Sequence, residues 1–165
     1  MPYMTTVRRL DEVSIFNDRL TFLIPHEWIE VASGDDGTYQ YQVPDAQSGW
    51  FRASLITTKD VGKPAERLEK LFRGYDVVSN EATGNLIRRS EKDTVQDGEK
   101  LHIYYWFIGA CVAPNMVCEA VFSYTVLADL AENSETRSEV KLIDQLVSDA
   151  RFNPTDDRMA RQESE

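Results

Sequence analysis

Between residues 85 and 127 the chain carries three β-prone runs in succession, separated by two short turn signals. The middle run, residues 101–112, is the richest in aromatic and β-branched side chains, which suit a pleated, half-buried surface. Asp97-Gly98 precedes it, a pair adapted to a tight hairpin turn. Pro114-Asn115 follows it and reads as a second turn. In the last run Cys118, Ala120, Phe122, Tyr124 and Val126 alternate with Glu119, Ser123 and Thr125, the period-two pattern of a strand with one buried face. Runs joined by turns this short can pair only antiparallel, because a parallel neighbour needs a long crossover. A three-stranded antiparallel meander over about 85–127 is therefore the frame the rest of the chain must fit.

The flanking segments fit it. Val13-Ser14-Ile15-Phe16 begins a strand pattern and Asn17-Asp18 reads as a turn. Leu20, Phe22 and Ile24 then alternate with Arg19, Thr21 and Leu23 until Pro25, which has no N–H for a sheet ladder. Trp28, Ile29 and Val31 resume an extended run. After the turn cluster at 33–37, residues 38–43 and 50–58 read as strands, separated by the loop 44–49. Pro64 opens a helix whose apolar stripe is Leu68, Leu71 and Phe72, and Gly74 stops it. Asn133 is the N-cap candidate of a final helix with Val140, Ile143, Leu146, Val147 and Ala150 on its buried side. Strands in hairpin-like runs with two helices imply an α+β fold: an antiparallel β-sheet packed between helices, an α/β/α sandwich. Residues 1–11 read as a flexible leader, 12–154 as one domain and 155–165 as a disordered charged tail.

A length of 165 residues suits one core. The formal net charge of -10 repels phosphate backbones, so nucleic acid is not expected as a partner. Arg8-Arg9 and Arg88-Arg89, the nearest approach to basic patches, read as solvated pairs. The N-terminus lacks the apolar region of a secretory signal, and the apolar stretch at 103–113 is too short to span a bilayer. A cytoplasmic location away from the membrane is expected. If Pro114-Asn115 form the centre of a two-residue turn, Cys111 and Cys118 fall directly opposite each other, as a cross-strand disulfide requires. A reducing cytoplasm favours two reduced core thiols instead.

The residues of catalysis are sparse. His26 lies in a bend after a strand and His102 within the strongest strand pattern, and nothing in the sequence brings either to a nucleophile. No paired Cys/His spacing for zinc, EF-hand loop, phosphate-binding glycine loop or nucleophile elbow occurs. No catalytic, cofactor-binding or metal-binding residue is assigned. The aromatics carry more. In a strand, Tyr104 and Trp106 share one face and Tyr105 and Phe107 the other. Core is the favoured reading for Tyr104 and Trp106. If their face is open, the two form an aromatic patch of the kind partners bind. Trp28 and Trp50 border loops and carry the same pair of readings. These four are the candidate partner-binding residues.

Phe16-x-Asp18-x-Leu20-x-Phe22-x-Ile24-Pro25-x-x-Trp28 resembles the opening of the PsbP-like, DcrB-like superfamily, which includes the Ran-release factor Mog. The strand at 53–58 followed by the helix at 64–73 resembles it further. So does the close, Ser148-Asp149-Ala150-Arg151-Phe152, similar to the superfamily's Ser-x-x-Arg-Phe pattern. The resemblance covers about 12–154, and residues 75–100 match nothing within it. It implies a sheet between helices and a non-enzymatic protein that binds other proteins. Eag-type chaperones for type VI secretion effectors are among its bacterial members. Three readings of function follow in order. The first is a protein-binding module, as an effector chaperone or an immunity-type inhibitor whose acidity suits a basic toxin. The second is a small-ligand carrier with an aromatic-lined pocket around Trp106. The third is an enzyme with scattered carboxylates and His26 or His102. No cofactor is implied, and homo-oligomer formation is left open.

Overall fold

The structure is a computed structural model and describes residues 8–33, 37–44 and 49–154. The strands are β1 (Leu10–Ile15), β2 (Leu20–Pro25), β3 (Ile29–Ser33), β4 (Thr38–Gln42), β5 (Trp50–Thr58), β6 (Val77–Ser79), β7 (Leu86–Gln96), β8 (Glu99–Val112), β9 (Met116–Leu127) and β10 (Arg151–Phe152). The helices are α1 (Pro64–Phe72) and α2 (Ser134–Ser148). The expected meander is β7-β8-β9. It lies within a seven-stranded antiparallel sheet of order β3-β4-β5-β9-β8-β7-β6. A separate three-stranded sheet, β1-β2-β10, was not foreseen: its third strand has two residues, too few to leave a period in the sequence.

Residue parity in β8 assigns the helices to opposite faces of the large sheet. Trp106 and Ile108 are buried on the side of α2, where the Trp106 indole donates to Asp144 Oδ1 at 2.6 Å. The small sheet closes the same side. Phe22 meets Phe122 edge-on with ring centres 5.2 Å apart, and Trp28 lies 4.9 Å from Phe51. Ile143 and Val147 of α2 complete this core. On the opposite face α1 lays Leu68 and Phe72 over Gly109, with Val117 below and Phe107 and Leu86 beside them. The architecture is thus α+β with a sheet between two helices, as expected. Leu71 departs from the predicted stripe and is 39% exposed, because only Leu68 and Phe72 reach the sheet.

The motifs at the two ends of the chain have structural jobs. Trp28 donates its indole N–H to Glu139 Oε1 of α2 at 3.1 Å, and the Arg8 guanidinium grips the same carboxylate at 2.7 and 3.0 Å. A buried tryptophan needs such a partner. The Ser148 carbonyl, at the end of α2, accepts from Asn80 Nδ2 at 2.9 Å and buried Asn85 Nδ2 at 3.2 Å. Phe152 then pairs with Leu20.

Several expectations need correction. The first strand starts at Leu10, inside the expected leader; the rest of that leader (1–7), the tail 155–165, and positions 34–36 and 45–48 of two loops lie outside the described residues. The turn after β8 has three residues, since Val112 pairs with Met116 around a cis Ala113–Pro114 bond. That moves the register by one, so Cys111 faces Val117 and Cys118 faces Ala110. A shift of one puts the two thiols on opposite faces: Cys111 is exposed, Cys118 is buried, and both are free. The arginines are not solvated pairs either. Arg88 lies 3.8 Å over the Tyr75 ring and 3.9 Å over Phe107, while Arg89, on the other face, pairs with Asp144 at 3.4 Å.

A candidate binding face on the large sheet

α1 has nine residues, so at 1.5 Å per residue it is about 13 Å long. The seven strands it would have to cover span about 29 Å at roughly 4.8 Å spacing. Among the described residues, one short helix therefore leaves most of its face uncovered. Pairing registers define what stands there. One row runs Ile29, Gln42, Trp50, Thr125, Ile103, Lys92 across β3, β4, β5, β9, β8 and β7. The next runs Gln40, Arg52, Ser123, Tyr105, Ser90. Within these rows Ile29 is 53% and Trp50 38% exposed, and Tyr105 is half-buried. Arg52 donates from Nε to Gln40 Oε1 at 3.1 Å, which ties its guanidinium to β4 across the face.

The tip of the β7-β8 hairpin rises beside these rows. Between Gln96 and Glu99 at the tip and Trp50 and Arg52 on β5 lies a hollow of about 500 Å³. Leu101 and Ile103 form its apolar floor. The hairpin is set by Asp97 and Gly98, both with positive φ (52° and 80°), the turn that matches strand twist.

Of the four tryptophan and tyrosine candidates, Trp50 alone is open to solvent. Trp106 is 1% exposed, Trp28 6% and Tyr104 7%. Their indole or phenol hydrogens are taken up within the fold, Tyr104 by the Ala131 carbonyl at 3.3 Å. Tyr105, Arg52 and Ile29 join Trp50 instead. Little in the sequence signals them, since Ile29, Trp50 with Arg52, and Tyr105 sit on three different strands and only cross-strand register puts them on one face.

The histidines have separate partners. His26 Nδ1 meets Asp11 Oδ2 at 2.6 Å on the surface. His102 lies between Asp93, 2.6 Å from Nδ1, and Glu91, 3.0 Å from Nε2. Burial opposes the charged imidazole, but the two carboxylates outweigh it and the pKa is raised above 6.5. A carboxylate facing each ring nitrogen favours the charged imidazole and leaves neither nitrogen turned to open solvent. Among the described residues, no group of three or more His, Cys, Asp or Glu is arranged for a metal ion, and no helix is long and apolar enough to cross a membrane.

Antiparallel sheets with two helices make this an α+β fold of the Mog1/PsbP-like kind, as comparison with solved structures shows. The chain superposes on the Ran-binding protein Mog1p of Saccharomyces cerevisiae with a TM-score of 0.53, at 14% identity, over 88% of this chain and 96% of that one. LpqN of Mycobacterium tuberculosis, described as involved in cell envelope biogenesis, matches at 0.53 and 13% identity, over 88% and 91%. A crystal structure from Bacteroides thetaiotaomicron VPI-5482 matches at 0.53 and 17% identity, over 83% of this chain but 46% of that one, so the chain spans about half its length. At these identities the likeness is one of fold. No family model and no curated protein matches the sequence.

Proposed function

We propose that the chain is a non-enzymatic, cytoplasmic protein-binding module that seats its partner on the open sheet face around Trp50. The carrying observation is the pairing register that sets Trp50 and Arg52 of β5, and Tyr105 two strands away on β8, on one face that α1 is too short to cover. Tryptophan, tyrosine and arginine are the side chains in which interface energy concentrates. The description of Mog1p as Ran-binding supports the reading by fold analogy alone. The engagement of both His102 ring nitrogens by Asp93 and Glu91 supports a non-catalytic role.

The finer reading is an immunity-type inhibitor or a type VI secretion effector chaperone. A net charge of -10, with Asp97 and Glu99 at the rim of the hollow, favours the inhibitor of a basic toxin. A hollow of about 500 Å³ also supports a second reading, a small-ligand carrier, with Trp50 rather than buried Trp106 as the aromatic wall. Affinity capture from the native host, with wild type and Trp50→Ala as baits, separates them. One stoichiometric protein lost with Trp50→Ala upholds the module. No protein, with a small molecule retained in native mass spectrometry, upholds the carrier and refutes the module.

A further inference from the structure

We propose that the outer edge of β7, from Arg89 to Gln96, receives an extended basic segment of a partner polypeptide as an additional strand of the large sheet. This rests on the protein-binding reading above and names a second contact for that partner. β7 pairs with β8 without interruption from Leu86↔Gly109 to Gln96↔Glu99. On its other side β6 reaches only Leu86, Ile87 and Arg88. Among the described residues, nothing pairs with the remaining edge.

The hairpin turn fixes which backbone groups lie on that edge. In a two-residue turn the flanking residues, here Gln96 and Glu99, form a hydrogen-bonded pair, and bonded pairs alternate along an antiparallel ladder. The even-numbered residues of β7 therefore bond to β8. Arg89, Glu91, Asp93 and Val95 turn their N–H and C=O outward. The other end agrees: the Asn80 N–H donates to the Asn85 carbonyl at 2.9 Å, placing odd-numbered residues on the outer side. Exposed edges are commonly blunted by proline, a bulge, shortness or charge, and of these only charge is present here, in Glu91, Lys92 and Asp93, so it selects among incoming strands by their own charge. This one has no proline, keeps its register and leaves Val95 64% exposed.

A second copy fits poorly. Two identical edges that pair antiparallel with their sheets continuous must oppose residues of like parity. The registers that use nearly the whole open edge are centred on Lys92 or Asp93. The first sets Lys92 against Lys92 and Glu91 against Asp93; the second sets Asp93 against Asp93. Like charges directly opposite are destabilising. A foreign strand escapes this. The outward positions display Glu91 and Asp93, two carboxylates sharing one imidazole, while Arg89 is turned to Asp144. Lysine or arginine at alternate positions of the incoming strand answers that charge. Its remaining side chains extend the row Trp50, Thr125, Ile103, Lys92, so edge and face form one continuous surface.

The test uses the full chain and a synthetic peptide of alternating lysine and threonine, followed by amide hydrogen exchange in NMR. At saturating peptide the amides of Glu91, Asp93 and Val95 slow about tenfold or more, while Ser90, Lys92 and Thr94, already bonded to β8, do not change. Val95→Pro removes an outward donor and no β8 bond, so the chain stays folded and peptide binding falls about tenfold. A peptide N-methylated at alternate residues fails to bind. Absence of binding, protection confined to the Trp50 face, or equal binding of the N-methylated peptide overturns the proposal. So does concentration-dependent protection without peptide, which assigns the edge to a second copy. Partner capture that survives Val95→Pro and is lost with Trp50→Ala removes the edge and keeps the module; the reverse pattern keeps the edge and removes the face.

Discussion

Gly109→Ala tests how α1 is seated. A β-carbon built at Gly109 meets Phe72 Cε2 at 2.5 Å and Leu68 Cδ1 at 2.7 Å. Carbon atoms rest at about 3.5–4.0 Å, so the helix must retreat by about 1 Å, which forfeits up to half of each dispersion contact along the seam. Overpacking of this kind costs about 1–3 kcal/mol. Alanine in a strand regains about 0.5–1 kcal/mol over glycine. The net loss is then at most about 2.5 kcal/mol, or a fall in Tm of up to roughly 10 °C for a chain of this size. Urea unfolding followed by tryptophan fluorescence reads it. Phe72→Ala alone costs about 3–5 kcal/mol. In that background Gly109→Ala should lose much of its penalty, a coupling of about 1 kcal/mol or more. A stabilised Gly109→Ala, or strict additivity with Phe72→Ala, refutes the packing account.

Three further outcomes follow from the same geometry. Cys111 should react with a maleimide in the folded chain and Cys118 only after unfolding, and mild oxidation should form no intramolecular disulfide, as mass spectrometry would reveal. His102 has a raised folded pKa, so its stabilisation is fully present below about 6.5 and is lost as pH rises through the folded value. Urea midpoints across pH 5–9 should show that slope in wild type and lose it in His102→Gln. Trp106→Phe removes a hydrogen bond to a carboxylate and should cost about 1.5–3 kcal/mol before any cavity effect, whereas Trp50→Ala should leave the urea midpoint within about 0.5 kcal/mol of wild type.

What was legible in the sequence was local. The β7-β8-β9 meander follows from alternation and from Asp97-Gly98, signals contained within a few residues. β10 left no such signal. The position of Cys111 against Cys118 hinged on one residue in the Pro114 turn, since a three-residue loop and a two-residue loop reverse every facing assignment. His102 between Asp93 and Glu91 was within reach: the Asp97-Gly98 turn already sets 102 opposite 93, and Glu91 follows on the same face. Exposure of the tryptophans was not. Trp28 and Trp106 are buried where Glu139 and Asp144 on α2 take their N–H groups, contacts 111 and 38 residues apart in the chain that no local pattern encodes. The glycine in Ile108-Gly109-Ala110 was the available sign of where α1 lands, since glycine inside a strand marks close approach.

The central claim, a partner seated on the face around Trp50, is tested most directly by a photo-crosslinking amino acid placed at residue 50 and, as a control, at Lys141 on the exposed side of α2. The account predicts one dominant cross-linked protein from residue 50 in the native host and none from Lys141. Cross-links from Lys141 to a protein that residue 50 fails to capture would contradict it.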